Sequence, residues 1–264
     1  MTDANLAVDN VARAKELHRL HSDPKLLTVV NVWDVASARA VAGVPGTTAL
    51  ATASHSIAAS YGYPDGENIP VDLMIEAIGR IAAATELPVT ADLEAGYGDA
   101  AATVRKAIGV GIVGANLEDR MRPLDEAVAA VSAMMTAAAD EGVDFVLNAR
   151  TDAFAMGRDR DPAEVLAEAI ERGQAFLDAG APLVFVPGRL DEAQVTALVD
   201  AFGPQRLTVL GIPGGLSLAR LEELGVARVS YGPMPFRVAL TALQELVEEI
   251  HRGGGIPPTM RPLT

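Results

Sequence analysis

Two acidic residues stand at the end of an apolar run in the segment VTADLEAGYG, residues 89–98. Asp92 and Glu94 are separated by one residue, and residues two apart in a β-strand point to the same side. If the run is a strand, both carboxylates project together from its C-terminal end. Packed carboxylates repel one another unless a cation lies among them, so the pair predicts a bound cation.

Other charged residues belong to neighbouring runs: Asp65 lies in the loop after the second run, Glu118 near the end of the fourth and Arg150 near the end of the fifth. In a barrel of parallel strands, the C-terminal strand ends all meet at one face. We therefore expect these side chains to lie close to Asp92 and Glu94. Oxygen ligands without Cys or His select a hard ion, which predicts a Mg²⁺ site, with Mn²⁺ as the alternative.

A structural role is the alternative for each acidic residue taken singly. Acidic residues often cap the next helix, which is the role expected for Asp99 and Asp125. Asp119 is expected to pair with its neighbour Arg120. Asp92, Glu94 and Glu118 have no such obvious partners in the sequence. For these three acids together, metal binding is therefore favoured over a structural role.

Eight short β-branched runs alternate with Ala-rich segments of helical pattern. The length of 264 residues suits one α/β barrel, and 50% hydrophobic but only 4% aromatic residues are typical of buried parallel strands. We predict a single (β/α)8 barrel over 1–264, with an N-terminal helix over 1–25 and a loose tail over 252–264. The predicted strands are 26–34, 47–54, 87–94, 112–119, 144–152, 182–188, 206–213 and 227–233.

Composition excludes several classes of function. The net charge is −14 and no basic stripe stands out, so nucleic acid and anionic membrane surfaces are not expected partners. Without cysteine, disulfides, zinc thiolate sites and thiol chemistry are excluded. The N-terminal residues have the pattern of an amphipathic helix without the apolar segment of a leader, so we expect no leader, and the chain has no uncharged apolar run of 18 residues. We expect a soluble, cytoplasmic protein.

Two residues are candidates for moving a proton at the same face. Tyr97 could protonate an enolate, although tyrosines also favour half-wet rims. His55 lies in the longest predicted irregular connection, residues 55–68, where it could act as a base or simply hydrogen-bond within the loop. The other histidines, expected to be solvated on terminal helices, are His18, His21 and His251.

Five motifs together resemble the isocitrate lyase/phosphoenolpyruvate mutase superfamily in order and spacing. They are NVWDVASAR (31–39), SYGYPDG (60–66), ADLEAGYG (91–98), NLEDR (116–120) and NARTDA (148–153). The resemblance runs from about residue 13 to 250. It implies a Mg²⁺-dependent barrel acting on 2-oxo acids or related hydroxy acids and phosphonates. It also implies a homo-oligomer, a dimer or a tetramer, in which C-terminal helices are exchanged between subunits.

The resemblance assigns roles residue by residue. Asp92 would ligate the metal directly, and three further acids would reach it largely through water: Asp65, Glu94 and Glu118. Arg150 would hold a carboxylate or oxo group of the substrate. A second substrate carboxylate site would be formed by the backbone N–H groups of Thr52, Ala53 and Ser54.

The chain departs from the superfamily pattern in three places. Asp92-Leu93-Glu94 stands where an Asp–x–Asp motif is usual, which lengthens the second side chain by one methylene. The lid segment that follows Glu118 reads DRMRPLDEA and has neither the general-acid cysteine of the isocitrate lyases nor the asparagine of the mutases. Val186-Pro187-Gly188 replaces a lyase glutamate. Cleavage of isocitrate or methylisocitrate is therefore not expected.

These observations favour a Mg²⁺-dependent lyase that acts on a 2-oxo acid or related hydroxy acid. The reaction would pass through an enolate, by C–C cleavage or by decarboxylation. Phosphonate chemistry, meaning C–P mutase or hydrolase activity, is the first alternative. The second is a non-catalytic protein that binds an oxo acid.

Overall fold

The computed structural model describes residues 3–261 of the chain. Eight parallel strands form a closed barrel in which each strand pairs with the next and β8 pairs with β1. The predicted (β/α)8 barrel is confirmed. The strands are β1 (Leu27–Val32), β2 (Leu50–Thr52), β3 (Val89–Asp92), β4 (Gly114–Glu118), β5 (Val146–Arg150), β6 (Leu183–Val186), β7 (Leu207–Leu210) and β8 (Arg228–Ser230).

Helices follow every strand and surround the barrel. They are α1 (Asp3–Ser22), α2 (Val35–Ala42), α3 (Ser54–Ser60), α4 (Val71–Ala82), α5 (Ala100–Gly109), α6 (Leu124–Asp140), α7 (Ala153–Met156), α8 (Pro162–Asp178), α9 (Glu192–Phe202), α10 (Leu218–Glu223) and α11 (Met234–His251). Helix α3 occupies part of the connection 55–68 that was predicted to be irregular, so that prediction was wrong over its first half.

Local sequence signals explain where several helices begin. The side chain of Asp99 accepts a hydrogen bond from Ala102 N at 2.9 Å, which confirms it as the N-cap of α5. The prediction for Asp125 was wrong, because Pro123 occupies the N-cap position of α6. Asp125 lies inside the first turn, where its charge favours the positive end of the helix dipole.

Helix α1 packs at the N-terminal end of the barrel. A Cβ atom on Gly114 would lie 2.8 Å from Leu17 Cδ2, so the missing side chain of this glycine makes room for the helix. His21, predicted to be solvated, is instead 3% exposed, and its Nδ1 lies 2.8 Å from Leu17 O. Burial lowers the pKa of His21 to about 3, with buried Arg228 adding to the effect. Because this end of the barrel is filled, access to the interior is from the C-terminal end.

The C-terminal region differs from the rest of the molecule. None of the residues of α11 is buried. After it, residues 252–261 are exposed and contain neither helix nor strand, while 262–264 lie outside the described residues. Over the part of the chain that the structure covers, every helix is too short or too polar to cross a membrane.

Candidate active site

A cavity of about 870 Å³ opens at the C-terminal face of the barrel. Eight of the ten predicted site residues line it: Ala53, Ser54, His55, Asp65, Asp92, Glu94, Glu118 and Arg150. Thr52 and Tyr97 are the two that the lining does not include. The structure thus brings together the side chains that four separate sequence motifs supply, as expected from parallel strands that end at one face.

Asp92 is the last residue of β3 and is held by the start of α3. Its Oδ2 accepts hydrogen bonds from Ser54 Oγ at 2.7 Å and from Ser54 N at 3.2 Å. Thr52 Oγ1 accepts from Asp92 N at 3.1 Å, and Thr52 is fully buried. Thr52 therefore supports the backbone at Asp92 from behind the cavity.

The backbone N–H groups predicted to receive a carboxylate already have acceptors within the protein. Ala53 N donates to Val32 O at 3.2 Å, and Ser54 N donates to Asp92. A ligand carboxylate would have to replace these bonds. Substrate binding by Thr52, Ala53 and Ser54 stays a prediction.

A left-handed turn, which the sequence did not indicate, directs the side chain of Glu94 into the cavity. Strand β3 ends at Asp92, and Glu94 has a left-handed backbone with a φ of 50°. The two carboxylates therefore share a side because of a tight turn and not because of strand alternation. The turn is closed by a hydrogen bond from Gly96 N to Leu93 O at 3.0 Å.

The carboxyl group of Glu94 is nearly inaccessible, with 4% of its side chain exposed. Burial, together with the negative charges of Asp92, Asp65 and Glu118, raises its pKa to about 7. A buried carboxyl group with a raised pKa is stabilised either by binding a proton or by a cation close to it.

Glu118 and Arg150 end adjacent strands and face each other, since they are direct register partners of β4 and β5. Arg150 Nη1 lies 3.0 Å from Glu118 Oε2, and Arg150 also bonds Asp152 Oδ1 at 2.7 Å. Burial raises the pKa of Glu118 despite the opposing charge of Arg150. The guanidinium also lies 6.0 Å from the centroid of the Phe185 ring, so Arg150 is fixed on two sides.

Arg120 is a site residue that the sequence interpretation missed. Its guanidinium bonds three carboxylates: Glu118 through Nε at 2.8 Å, Glu67 through Nη1 at 3.1 Å and Glu94 through Nη2 at 3.1 Å. The premise that these acids lack cationic partners was therefore wrong. The motif NLEDR shows an arginine beside the acids, but sequence alone did not indicate which acid it would reach.

Asp119 does not pair with Arg120, contrary to the prediction. It is 2% exposed and forms an ion pair with Arg172 of α8 at 3.2 Å. Its Oδ1 also accepts from Asp152 N and from Met121 N, both at 3.0 Å. Asp119 points away from the cavity because its side chain is on the opposite side of the chain from Glu118.

The two candidate proton carriers occupy different positions. His55 lines the cavity, and within the described part of the chain its buried Nδ1 has no hydrogen-bond partner. Tyr97 OH donates to Glu94 Oε1 at 3.3 Å. Burial and the charge of Glu94 raise the pKa of Tyr97 well above its ordinary value. Of the two, only His55 lines the cavity.

The donor set is compatible with one hard cation, though not with a cage of direct ligands. No three Asp, Glu or His side chains among the described residues lie close enough together to hold a metal ion by themselves. Burial raises the pKa values of Glu94 and Glu118, and for Glu94 the negative charges of Asp92, Asp65 and Glu118 add to the effect, so a further positive charge here would stabilise the ionised carboxylates. A divalent cation near Asp92, with water between it and the other carboxylates, fits both observations.

The opposite part of the cavity carries the other sign of charge. We call the wall formed by Asp65, Asp92, Glu94 and Glu118 the acidic side. The arginine side is formed by Arg158, Arg160, Arg189 and Arg237. The first three come from the connections after β5 and β6, and Arg237 comes from α11. These arginines were not predicted as site residues, because they lie several residues beyond the strand ends.

Fold and site together define a TIM-barrel protein with a charged cavity at the C-terminal face of the barrel. Residues 17–251 match the family model described as phosphoenolpyruvate phosphomutase, and the chain belongs to this family. The resemblance noted from the five motifs is confirmed.

Similar proteins include enzymes with different reactions. A Burkholderia cenocepacia protein described as a candidate phosphonomutase is 42% identical, and the match covers 89% of this chain and 99% of that one with a TM-score of 0.85. The 2-methylisocitrate lyase of Shewanella oneidensis is 32% identical over 74% of this chain and 70% of its own. Oxaloacetate acetylhydrolase in complex with oxalate is 26% identical over 96% and 92%, with a TM-score of 0.84. The relatives thus include lyases, mutases and hydrolases.

Proposed function

We propose that this protein is a Mg²⁺-dependent lyase that acts on a 2-oxo acid or a related hydroxy acid through an enolate intermediate. The observation that carries the proposal is the convergence of Asp92, Glu94, Glu118 and Arg150 on one cavity. Bond cleavage next to an oxo group leaves negative charge on the oxo oxygen, and this charge needs a fixed positive partner. C–C cleavage and decarboxylation share this requirement.

The acidic side would hold the metal. Asp92 is the best placed direct ligand, because Ser54 fixes one of its oxygens and so sets the orientation of the carboxylate. Asp65, Glu94 and Glu118 would act through water. When bound, a divalent cation would supply Lewis-acid stabilisation of the developing charge.

Arg150 would bind a carboxylate or oxo oxygen of the substrate. Its planar guanidinium suits two-point recognition of a carboxylate. Asp152 and Glu118 hold it in place, so little side-chain freedom is left to lose when a ligand binds.

His55 would return the proton to the substrate. In a chain without cysteine, its imidazole is the cavity-lining group best suited to general acid catalysis. The proton would pass from the ring nitrogen to the enolate carbon, and the imidazole would regain a proton from solvent. Tyr97 is a weaker candidate because its hydroxyl is already engaged with Glu94.

A screen of ligands tests the proposal. Thermal unfolding is measured with oxalate, pyruvate, oxaloacetate and 2-methylmalate, each with and without Mg²⁺, since a ligand that binds only the folded state raises its melting temperature. We expect stabilisation that requires both oxo acid and Mg²⁺, followed by release of a cleaved product from at least one hit. No Mg²⁺-dependent stabilisation by any of these acids would overturn the proposal. If these acids stabilise the protein but none is converted to product, the result would favour the alternative of a non-catalytic protein that binds an oxo acid.

Isocitrate and methylisocitrate are negative controls in the same experiment. The segment between Glu118 and α6 has only five residues, 119–123, and the chain contains no cysteine. We therefore expect no glyoxylate from isocitrate and no pyruvate from methylisocitrate. Rapid turnover of either would show that another residue replaces the lid thiol.

Phosphonate chemistry is the second candidate. Two observations favour it: the 42% identity to the Burkholderia cenocepacia protein and an arginine side able to bind a phosphonate group. Phosphonopyruvate belongs in the same screen. Formation of phosphoenolpyruvate or of inorganic phosphate from it would favour this candidate over C–C cleavage.

We also propose that the protein assembles into a homo-oligomer through α11. Apolar side chains of this helix are exposed, including Val238 at 69% and Leu243 at 55%. A single helix with such a face normally packs against a partner, and exchange of the helix between subunits would cover it. Sedimentation velocity is expected to show a dimer or a tetramer. The double variant Val238→Asp, Leu243→Asp should sediment as a monomer, whereas a monomeric wild type would contradict the assignment.

A further inference from the structure

Arg120 connects three loops at the rim of the acidic side. Its three carboxylate partners are Glu67, which follows β2, Glu94, which follows β3, and Glu118 at the end of β4. One guanidinium therefore links the C-terminal ends of three consecutive strands. A planar fork with five N–H donors is the side chain best able to do this.

The backbone at Arg120 adopts an uncommon conformation. Arg120 and Met121 both have left-handed dihedrals, with φ values of 47° and 53°. Consecutive non-glycine residues of this kind cost free energy and persist only where the surrounding structure holds them. Here Arg120 N donates to Asp152 Oδ2 at 3.2 Å and Met121 N donates to Asp119 Oδ1 at 3.0 Å. The fold thus imposes the turn that directs Arg120 toward the acids.

Glu67 completes the connection on the side away from the cavity. Its Oε1 accepts hydrogen bonds from Tyr97 N at 2.6 Å and from Ala95 N at 3.2 Å, while its Oε2 bonds Arg120. Hydrogen bonds from these two backbone N–H groups to the Glu67 side chain therefore connect the loop after β3 to the loop after β2. Arg120 then ties both to β4.

Arg120 stands behind the carboxylates and does not face the ligand space. The cavity lining includes Glu94 and Glu118 but not Arg120. Glu118 has Arg120 on its Oε1 and Arg150 on its Oε2, so both of its oxygens are fixed. Glu94 has Arg120 on Oε2 and Tyr97 on Oε1.

We propose that Arg120 is a positioning residue that fixes Glu94 and Glu118 and joins the three loops around the acidic side. This inference rests on the proposed function in one respect, since it assigns the two carboxylates to ligand binding through a cation. Arg120 contributes to that binding through them and does not itself contact the substrate. The short connection 119–123 thus positions the carboxylates of Glu94 and Glu118 through Arg120, without a long lid segment.

The test compares Arg120→Gln with Arg122→Gln. Arg122 belongs to the same connection, yet its guanidinium donates only to the backbone oxygens of Asp119 and Glu118. Both variants lose one positive charge from the same place. Titration calorimetry with oxalate in the presence of Mg²⁺ is expected to show affinity at least tenfold weaker for Arg120→Gln, and within twofold of wild type for Arg122→Gln.

Two more variants separate positioning from general structural support. Arg120→Lys keeps the charge, but one ammonium nitrogen cannot take the positions of the three guanidinium nitrogens that each reach a different carboxylate, so it should recover only part of the affinity. Glu67→Gln leaves the contacts of Arg120 with Glu94 and Glu118 and should cost about threefold or less. If Arg120→Gln lowers the melting temperature but binds oxalate as tightly as wild type well below that temperature, the positioning role is wrong.

Hydrogen exchange provides a readout that needs no ligand. The amides of Ala95 and Tyr97 bond Glu67, so Arg120→Gln should speed their exchange severalfold, while Arg122→Gln should not. Failure of the wild type to bind oxalate with Mg²⁺ would count against the proposed function. Unchanged exchange at these amides in Arg120→Gln would count against the role of Arg120, whatever the ligand data show.

Discussion

The acidic side and the arginine side of the cavity are built in different ways. Asp92 and Glu118 are the last residues of their strands, and Glu94 lies two residues beyond one. Their positions are fixed by the barrel and by hydrogen bonds from Ser54, Arg120 and Arg150. The arginines of the other side lie on the connections after β5 and β6, beyond the strand ends, and on α11, and they are exposed.

This difference separates two tasks of the proposed enzyme. A site for one small cation needs carboxylates held to within a fraction of an ångström, which rigid strand ends can provide. Recognition of the distal part of a substrate tolerates longer side chains on loops, where sequence changes do not disturb the barrel. We therefore expect the acidic side to decide whether the chemistry occurs and the arginine side to influence which substrate is used.

The largest effect is expected from Asp92→Asn. The change removes the charge of the proposed direct ligand while keeping its size, so Mg²⁺-dependent binding of oxalate should fall at least a thousandfold, roughly 4 kcal/mol. Asp99→Asn is the matched control, because Asp99 only caps α5 and asparagine caps equally well. Calorimetry that finds unchanged Mg²⁺-dependent binding in Asp92→Asn would remove Asp92 from the site.

A pH dependence of stability should follow from the raised pKa of Glu94. The folded protein holds this proton up to a pKa of about 7, whereas the unfolded chain releases it near 4.5. The resulting stabilisation is fully present below pH 4.5 and is lost as pH rises through 7. Without divalent metal, the free energy of unfolding should lose on the order of 3 kcal/mol from this group.

Urea unfolding of wild type and Glu94→Gln between pH 4.5 and 8 isolates that contribution, because glutamine does not titrate. The difference between the two proteins should change across this range, and Mg²⁺ should reduce the change by compensating the charge. A difference that is independent of pH would show that Glu94 is already ionised throughout, and that the acidic side is better neutralised than its burial indicates.

Arg150→Lys should have an intermediate effect, since it keeps the charge but loses the planar fork. Affinity for oxalate with Mg²⁺ is expected to fall about tenfold, roughly 1.4 kcal/mol. Arg105→Lys serves as the control, because Arg105 is an exposed ion-pair partner of Asp140 and does not line the cavity. Equal affinities of Arg150→Lys and wild type would place the substrate carboxylate elsewhere.

The smallest effect is expected on the arginine side. Arg237→Gln should weaken binding of 2-oxoglutarate about threefold, roughly 0.7 kcal/mol, because a flexible, exposed arginine contributes little to binding. Binding of pyruvate, which has no second carboxylate, should not change. An equal loss for both acids would contradict the division of the cavity into two tasks.

The barrel was predictable because each strand carries its own signal. Runs such as LLTVVNV and PLVFV are rich in apolar and β-branched residues, and eight such runs alternate with helical segments. The predicted strands were all present, although each was predicted too long. Thr52 and Ser230, for instance, are the last residues of their strands, because the polar segments beyond them turn away to form the site.

The contacts within the site were less predictable. The sequence indicated that Asp92 and Glu118 would meet, because parallel strands end at one face. It did not indicate that Arg120 would take a left-handed conformation and turn toward Glu94, since such a φ at arginine has no local sequence signal. The burial of His21 was missed for a similar reason, because a helix that packs across the end of a barrel has the same pattern as a surface helix.

Sequence by itself thus determined the repeating βα pattern, the family and the acids at the strand ends, because these depend on residues close together in the chain. Tertiary structure alone decided which charges pair. Arg120 could have met Asp119 beside it, but the side chains of adjacent residues diverge. Asp119 instead meets Arg172 on α8, and Arg120 meets Glu67 and Glu94 from other loops. Pairing of buried charges depends on distance in space, which only the closed barrel fixes.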